Sequence, residues 1–276
     1  MSRIEKAIES ANLKRSRETE NRPDAESPPL LKIPQTKRQF NYGQGLTTNV
    51  GNPYLVTAND INSPAAEQYR KLKSLLVQRS QSGLFGNALM VTSAVPGEGK
   101  TITSLNLAIT MAQEFDHTVL LVEADIRKPS ILSNLGITPQ RGLVECVLDN
   151  LDISDVLIKT DIGNLSILPA GRQVENPVEV FSSNRMSMLF EDIKCRYKNR
   201  YVIVDTTPLL PFAEPQYIAK AIGAVLFVVR EGKTTPNNIK RSLEILKNNT
   251  LLGVVSNCVS RVNILDGYNG YYGYRY

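Results

Sequence analysis

Apolar residues fall in short, nearly continuous blocks along most of the chain. The clearest are Ala88–Thr92, Thr118–Glu123, Leu165–Leu168, Tyr201–Asp205, Ala224–Val229 and Gly253–Ser256. Between them, Lys100–Glu114, Pro177–Tyr197, Glu214–Ala221 and Pro236–Lys247 space their apolar positions at three and four, as a helix does. Blocks of four to six residues without polar alternation predict strands buried on both faces. Strand–helix alternation predicts an α/β fold, with a mostly parallel sheet covered by helices on both faces. Ser63-Pro64, with Glu67 following, reads as a helix N-cap with Pro at the first helical position, and that helix is expected to reach about Arg79.

The pattern changes toward both ends. Residues 1–20 put Ile4, Ala7, Ile8 and Ala11 on one helical face among Arg, Lys and Glu, which predicts a short amphipathic helix. Residues 21–60 are rich in Pro, Asn, Thr, Gly and Gln without an apolar period, and are expected to be a flexible linker. The folded domain is expected over 61–265, and residues 266–276 form a tyrosine-rich tail.

Composition then removes whole classes of chemistry. The single histidine, His117, excludes a multi-histidine metal site and reads as a surface loop residue. The three cysteines, Cys146, Cys195 and Cys258, are widely separated and odd in number, which excludes zinc-finger and thioredoxin motifs and argues against a disulfide framework. The longest strongly apolar run, Ala224–Val229, is far short of the ~20 residues that cross a bilayer, and the N-terminus is too charged for a signal peptide. A cytoplasmic chain, peripheral at the inner face of the membrane through a partner, is the expectation. The net charge of +5 suits an anionic partner without choosing one.

The first predicted strand ends in Ala94-Val95-Pro96-Gly97-Glu98-Gly99-Lys100-Thr101. This is the phosphate-loop pattern with Ala94 in place of its first glycine. Gly97 and Gly99 let backbone N–H groups curl around phosphate oxygens, and the following helix aims its positive end at them. Pro96 to Thr101 are therefore the candidate nucleotide-binding residues. Lys100 reaches the β and γ phosphates and the Thr101 hydroxyl ligates Mg²⁺. Two later strands end in carboxylates, as Glu123-Ala-Asp125-Ile-Arg127-Lys128-Pro129 and as Asp205-Thr-Thr-Pro208. Such groups hold Mg²⁺ or take a proton from a nucleophile. Arg127 is a candidate for neutralising phosphate charge.

These motifs resemble the bacterial tyrosine kinases (BY-kinases) of exopolysaccharide loci, from about Asn62 to the C-terminus. The family's PGEGK[ST] loop is matched by Pro96–Thr101, its DxRKP by Asp125–Pro129, and its DTPP by Asp205–Pro208 with Thr207 for the first Pro. Its helix motif ExxRxxR is matched by Glu67, Arg70 and Lys73, with Lys replacing the last Arg. Leu168–Gly171 and Asn176–Glu179 are also similar, and Glu123 stands where the family usually has Asp. The opening MSRIEKAIE resembles the exosortase-associated subgroup, in which the kinase is a separate chain.

The resemblance implies an ATP- and Mg²⁺-dependent tyrosine autokinase. Lys100 would bind phosphate, Thr101, Asp125 and Asp205 would hold the metal, and Asp125 or Glu123 would serve as base. Glu67, Arg70 and Lys73 would make the oligomer contact. Tyr268, Tyr271, Tyr272, Tyr274 and Tyr276, five of the chain's 11 tyrosines, are the candidate autophosphorylation sites. The implied partners are a membrane polysaccharide co-polymerase as activator, further copies of the chain, and a tyrosine phosphatase; no nucleic acid is expected. Two other readings are a positioning ATPase of the related ParA/MinD class, whose loop carries a Lys where Val95 stands here, and a nucleotide-gated scaffold.

Overall fold

A computed structural model of the chain describes residues 48, 50–114, 117–196 and 199–260. The expected amphipathic helix over 1–20, the linker as far as residue 47, and the tyrosine tail lie outside these residues. The elements run α1 (Val56–Asn59), α2 (Pro64–Gln81), β1 (Ala88–Ser93), α3 (Lys100–Ala112), β2 (Thr118–Glu123), α4 (Ile131–Asn134), α5 (Leu143–Leu148), α6 (Ile153–Val156), β3 (Ile158–Lys159), β4 (Leu165–Leu168), α7 (Pro177–Ser182), α8 (Asn184–Cys195), β5 (Arg200–Asp205), α9 (Glu214–Ile222), β6 (Ala224–Arg230), α10 (Pro236–Ile245) and β7 (Thr250–Asn257).

The sheet has seven strands in the order β3-β4-β2-β5-β1-β6-β7. All neighbours are parallel except the two-residue β3, which is antiparallel to β4. The α/β sheet expected from the apolar blocks is therefore present. Alternate residues of each strand feed separate cores. Met90, Leu120, Val122, Val204 and Phe227 pack toward Phe181, Met186, Phe190 and Ile218. Leu89, Val91, Leu121, Ile203 and Leu226 pack toward Leu105, Ile109 and Leu76. Burial on both faces is why the strands read as unbroken apolar runs.

Helix α3 is sandwiched, and every residue from Thr103 to Ala112 is buried. Helix α2 lies outside it and starts as expected: Ser63 Oγ accepts from the Ala66 N–H at 3.2 Å, with Pro64 at the first helical position. The expected helix over Pro177–Tyr197 is divided. Ser183 leaves the helical conformation, ends α7, and caps α8 by accepting from the Met186 N–H at 3.1 Å. A serine that competes for backbone donors starts a new helix there.

The linker expected over 21–60 is corrected at its C-terminal end. Leu55 is fully buried and Val56–Asn59 form a helical turn against α3. The clamp is polar. Asn106 Oδ1 accepts from the Thr57 N–H at 3.1 Å and the Thr57 hydroxyl at 2.9 Å. Its Nδ2 donates to the Tyr54 carbonyl at 2.9 Å. A buried amide that satisfies a loop's backbone leaves no apolar period for the sequence to display. Among the described residues, no helix is long and apolar enough to cross a membrane.

Removing the Asn106 amide leaves buried groups of 54–57 without partners. Asn106→Ala should lower the unfolding free energy by about 1–3 kcal/mol in urea titrations. It should also speed amide exchange selectively over residues 54–59. An effect spread evenly over the domain would remove the clamp from this account.

Candidate active site

Parallel strands bring their carboxyl ends to one edge of the sheet, and the candidate residues gather there. Strand β1 lies between β5 and β6. In register, Val91 faces Asp205 on β5, and Asp205 faces Glu123 on β2. The loop after β1, the motif after β2 and the end of β5 therefore meet.

The loop bends at Gly97 (φ 77°) and Gly99 (φ 94°), both left-handed. Glycine is required at Gly99 for space as well, because a Cβ there would lie 1.9 Å from Asn257 Nδ2. The bend is held from outside. Asn257 Nδ2 donates to the Glu98 carbonyl at 2.9 Å, and the Arg230 guanidinium donates to the Gly97 carbonyl at 3.0 Å. The Glu98 side chain is fully buried. Its carboxylate accepts from the Val95 N–H at 2.8 Å and from the Thr234 hydroxyl. Its carboxylate thus braces the loop internally. Arg230, Thr234 and Asn257 are distant in sequence and carry no motif, so sequence reasoning missed them.

Lys100 begins α3, and its ammonium sits 2.9 Å from Asp125 Oδ2 and 3.4 Å from the Thr101 hydroxyl. Thr101 donates to Asp205 Oδ2 at 2.8 Å. Ser104, one turn further along the same face of α3, donates to Asp205 Oδ1 at 3.0 Å. Its spacing of three from Thr101 was the available signal for this missed residue. Burial pushes the Asp205 carboxyl up to about 6, against the pull of Lys100 and the two hydroxyls. Burial alone would lower the Lys100 pKa, but the charges of Asp205 and Asp125 outweigh it, and the net shift is upward. Lys100 therefore stays cationic.

Glu123 is arranged differently. Its Oε1 accepts from the Ser130 and Ile131 N–H groups, both at 2.6 Å, and its Oε2 from the Ala170 N–H at 3.3 Å. Burial raises its pKa, with partial offset from those backbone donors. The carboxylate holds the segment after β2 against the end of β4. Asp125, by contrast, gives one oxygen to the Lys128 N–H at 3.1 Å and the other to Lys100.

Arg127 is already engaged. It pairs with the fully buried Glu214 at 2.6 Å and stacks over Phe212 with 4.7 Å to the ring centroid. On α2 the expected charged stripe is divided. Glu67 and Arg70 pair with each other at 2.7 Å and are well exposed, whereas Lys73 reaches Glu114 of its own chain at 2.7 Å. His117, expected in a surface loop, is half-buried, with its ring centroid 5.2 Å from that of Tyr201.

The arrangement suits a nucleotide with Mg²⁺. The two left-handed glycines open a backbone cradle, and the oxygen donors are a hydroxyl and two carboxylates, which a hard cation prefers. Among the described residues no three His, Cys, Asp or Glu side chains are grouped closely enough to hold a metal alone. A metal at Thr101, Asp125 and Asp205 would thus complete its shell with phosphate oxygens and water.

The model of the AAA domain family, designated AAA_31, matches residues 88–230, from β1 through β6. EpsB of Ralstonia solanacearum is 30% identical over 247 residues, covering 88% of this chain and 32% of EpsB. The chain thus spans about a third of that relative's length. The tyrosine-protein kinase YwqD of Bacillus subtilis is 30% identical over 219 residues, covering 79% of this chain and 89% of YwqD. The kinase domain of the Escherichia coli tyrosine kinase ETK superposes with a TM-score of 0.66 at 26% identity, covering 87% and 89% of the two chains. The chain belongs to the bacterial tyrosine kinase family of P-loop proteins.

Because the Asp205 pKa is raised on folding, the folded state holds that proton more tightly than the unfolded chain. Its contribution to stability is full below about pH 4 and is lost as pH rises to about 6. Asp205→Asn removes that loss. Between pH 4 and pH 7.5, the difference in unfolding free energy should shift in favour of the variant by on the order of 2 kcal/mol. A difference independent of pH would show that Asp205 is not strained by burial.

Proposed function

We propose that the chain is an ATP- and Mg²⁺-dependent protein-tyrosine kinase that phosphorylates its own C-terminal tyrosines. The observation that carries this reading is the pairing of Lys100 with Asp125 beside a Thr101–Asp205 pair, on a loop shaped for phosphate. Bound ATP with Mg²⁺ supplies the γ-phosphoryl group and neutralises part of its charge. Lys100 binds and orients the phosphate oxygens. Thr101 and Asp205, with Asp125 beside them, would hold the metal. Asp125 accepts the proton of the attacking phenol, whose pKa of about 10 makes it a poor nucleophile unaided at neutral pH. Glu123, tied to three backbone N–H groups, positions the Asp125 segment and does not serve as the base.

The acceptors in this reading are Tyr268, Tyr271, Tyr272, Tyr274 and Tyr276, which lie outside the described residues. Each phosphate adds roughly −1.5 to −2 charges, so the cluster becomes strongly anionic. The exposed Glu67–Arg70 pair is part of the contact through which one copy presents its cluster to the next. Lys73, engaged with Glu114, supports α2 from within. The chain acts in exopolysaccharide polymerisation or export as the kinase of an exosortase-associated system. A membrane co-polymerase recruits and activates it through residues 1–20, and a tyrosine phosphatase resets it. The family membership and the MSRIEKAIE opening support this finer assignment.

The test is incubation of purified chain with Mg²⁺ and ATP, followed by phosphotyrosine immunodetection and mass spectrometry. Phosphate is expected on residues 268–276. Lys100→Met should abolish it, and Asp125→Asn should slow it by roughly 10²–10⁴-fold. Glu123→Gln should cost less than about tenfold, since a side-chain oxygen remains to accept from the backbone. ATP hydrolysis without phosphotyrosine, or phosphotyrosine persisting in Lys100→Met made without wild-type enzyme, would refute the assignment.

A second prediction concerns assembly. Unphosphorylated chain should form a concentration-dependent oligomer by light scattering, and the fully phosphorylated chain should dissociate. Equal mass in both states would point to phosphorylation within one copy.

A further inference from the structure

The turn between β6 and α10 is the least expected neighbour of the phosphate loop. It reads Arg230-Glu231-Gly232-Lys233-Thr234-Thr235 and is internally closed. The N–H groups of Lys233 and Thr234 both donate to the Arg230 carbonyl, at 3.1 and 3.0 Å. The Arg230 N–H donates to the Thr234 hydroxyl at 2.8 Å. Gly232 takes the left-handed conformation that so tight a turn needs, with φ 72°. Thr235 then caps α10 by accepting from the Asn238 N–H at 3.2 Å. The turn is latched to the loop by the Thr234–Glu98 and Arg230–Gly97 hydrogen bonds already described.

Lys233 is exposed, and an exposed lysine ordinarily extends its ammonium into water. Here the ammonium stands over the phosphate loop. A Cβ built on Gly97 would lie 2.8 Å from Lys233 Nζ, so the charge rests against the bare α-carbon at the loop's bend. Glycine at position 97 is required by the left-handed bend itself.

Charge at the site makes that placement consequential. Glu98, Glu123, Asp125, Asp205 and Glu214 are all buried around the loop and the segments beside it. Lys100 is paired with Asp125 and Arg127 with Glu214. Those two cations are therefore matched before a polyphosphate adds its own negative charges. Among the described residues, no carboxylate lies within ion-pair distance of Lys233. Lys233 and Arg230 bring positive charge to that side of the loop. A compact ammonium on a four-carbon stem adapts to a phosphate oxygen without fixed geometry.

We propose that Lys233 is a second phosphate-binding lysine, which contacts the polyphosphate of the bound nucleotide from the side of the loop away from Asp125. This rests on the nucleotide-site reading above and does not require that the acceptor be tyrosine. The contact adds affinity for nucleoside polyphosphates, and the turn's latch to Glu98 and Gly97 keeps the ammonium over the loop.

The test is calorimetric titration of full-length chain with ADP and with a non-hydrolysable ATP analogue, both with Mg²⁺. Lys233→Ala should weaken binding about tenfold, as expected for loss of one charged hydrogen bond to phosphate. Lys233→Arg should restore most of it. The loss should shrink as salt is raised, because the contribution is coulombic. Thermal unfolding without nucleotide should be unchanged in both variants. Unaltered affinity in Lys233→Ala would overturn the proposal. So would equal losses in Lys233→Ala and Lys233→Arg together with a lowered nucleotide-free midpoint, which would make the side chain a brace. If wild-type chain phosphorylates its tyrosines while Lys233→Ala binds normally, only this inference fails. If wild-type chain binds nucleotide in a Lys233-dependent way without making phosphotyrosine, only the kinase reading fails. Wild-type chain that binds neither nucleotide overturns both.

Discussion

A carboxylate buried where parallel strands end is costly, and this site is arranged around sustaining one. Asp205 is buried at the carboxyl end of β5, where three neighbouring strands stop together. Two hydroxyls from α3 donate to it, and the Lys100 ammonium offsets its charge. That need fixes the axial position of α3, which in turn fixes the loop that leads into it. Every α3 residue from Thr103 onward is buried, between α2 and the sheet. A strained charge of this kind is ready for a counter-ion, and a divalent cation relieves it more completely than hydroxyls do.

Much of this was legible in the sequence, and the reasons are specific. Strands buried on both faces write themselves as unbroken apolar blocks, and β2 and β4 occupy the residues their blocks indicate. The phosphate loop was legible because its function depends on backbone, which only glycine at fixed places permits. The remainder was hidden where polar side chains serve backbone groups far away in sequence. Asn106 clamping Tyr54 and Thr57 is one case, and Glu98 bracing the loop against Thr234 is another. Neither leaves a periodic trace. Ser183 was visible as a residue but not as a break, because the apolar period continues from α7 into α8 across it.

The two acidic residues of the second motif illustrate how one methylene assigns roles. Glu123 faces Asp205 across the β2–β5 pair, yet its longer side chain carries its oxygens to the N–H groups of Ser130 and Ile131. Asp125, shorter and two residues on, remains at the Lys100 ammonium. Arg127 follows the same logic of prior engagement, since Glu214 pairs with it and Phe212 lies beneath it. Motif spacing brings these residues to one edge of the sheet. Which of them faces the loop is decided by the donors that surround each one.

Gly99 and Asn257 touch so closely that no side chain fits between them, and Asn257 is the last residue of the edge strand β7. The chain toward the tyrosine cluster therefore departs from a point fixed against the phosphate loop. Tyr268 is 268 − 257 = 11 residues beyond that root, a contour of at most ~40 Å whatever path the chain takes. This length is a ruler. A copy whose site were to receive Tyr268 from a neighbour would have to place that site within such a radius of the neighbour's β7 terminus.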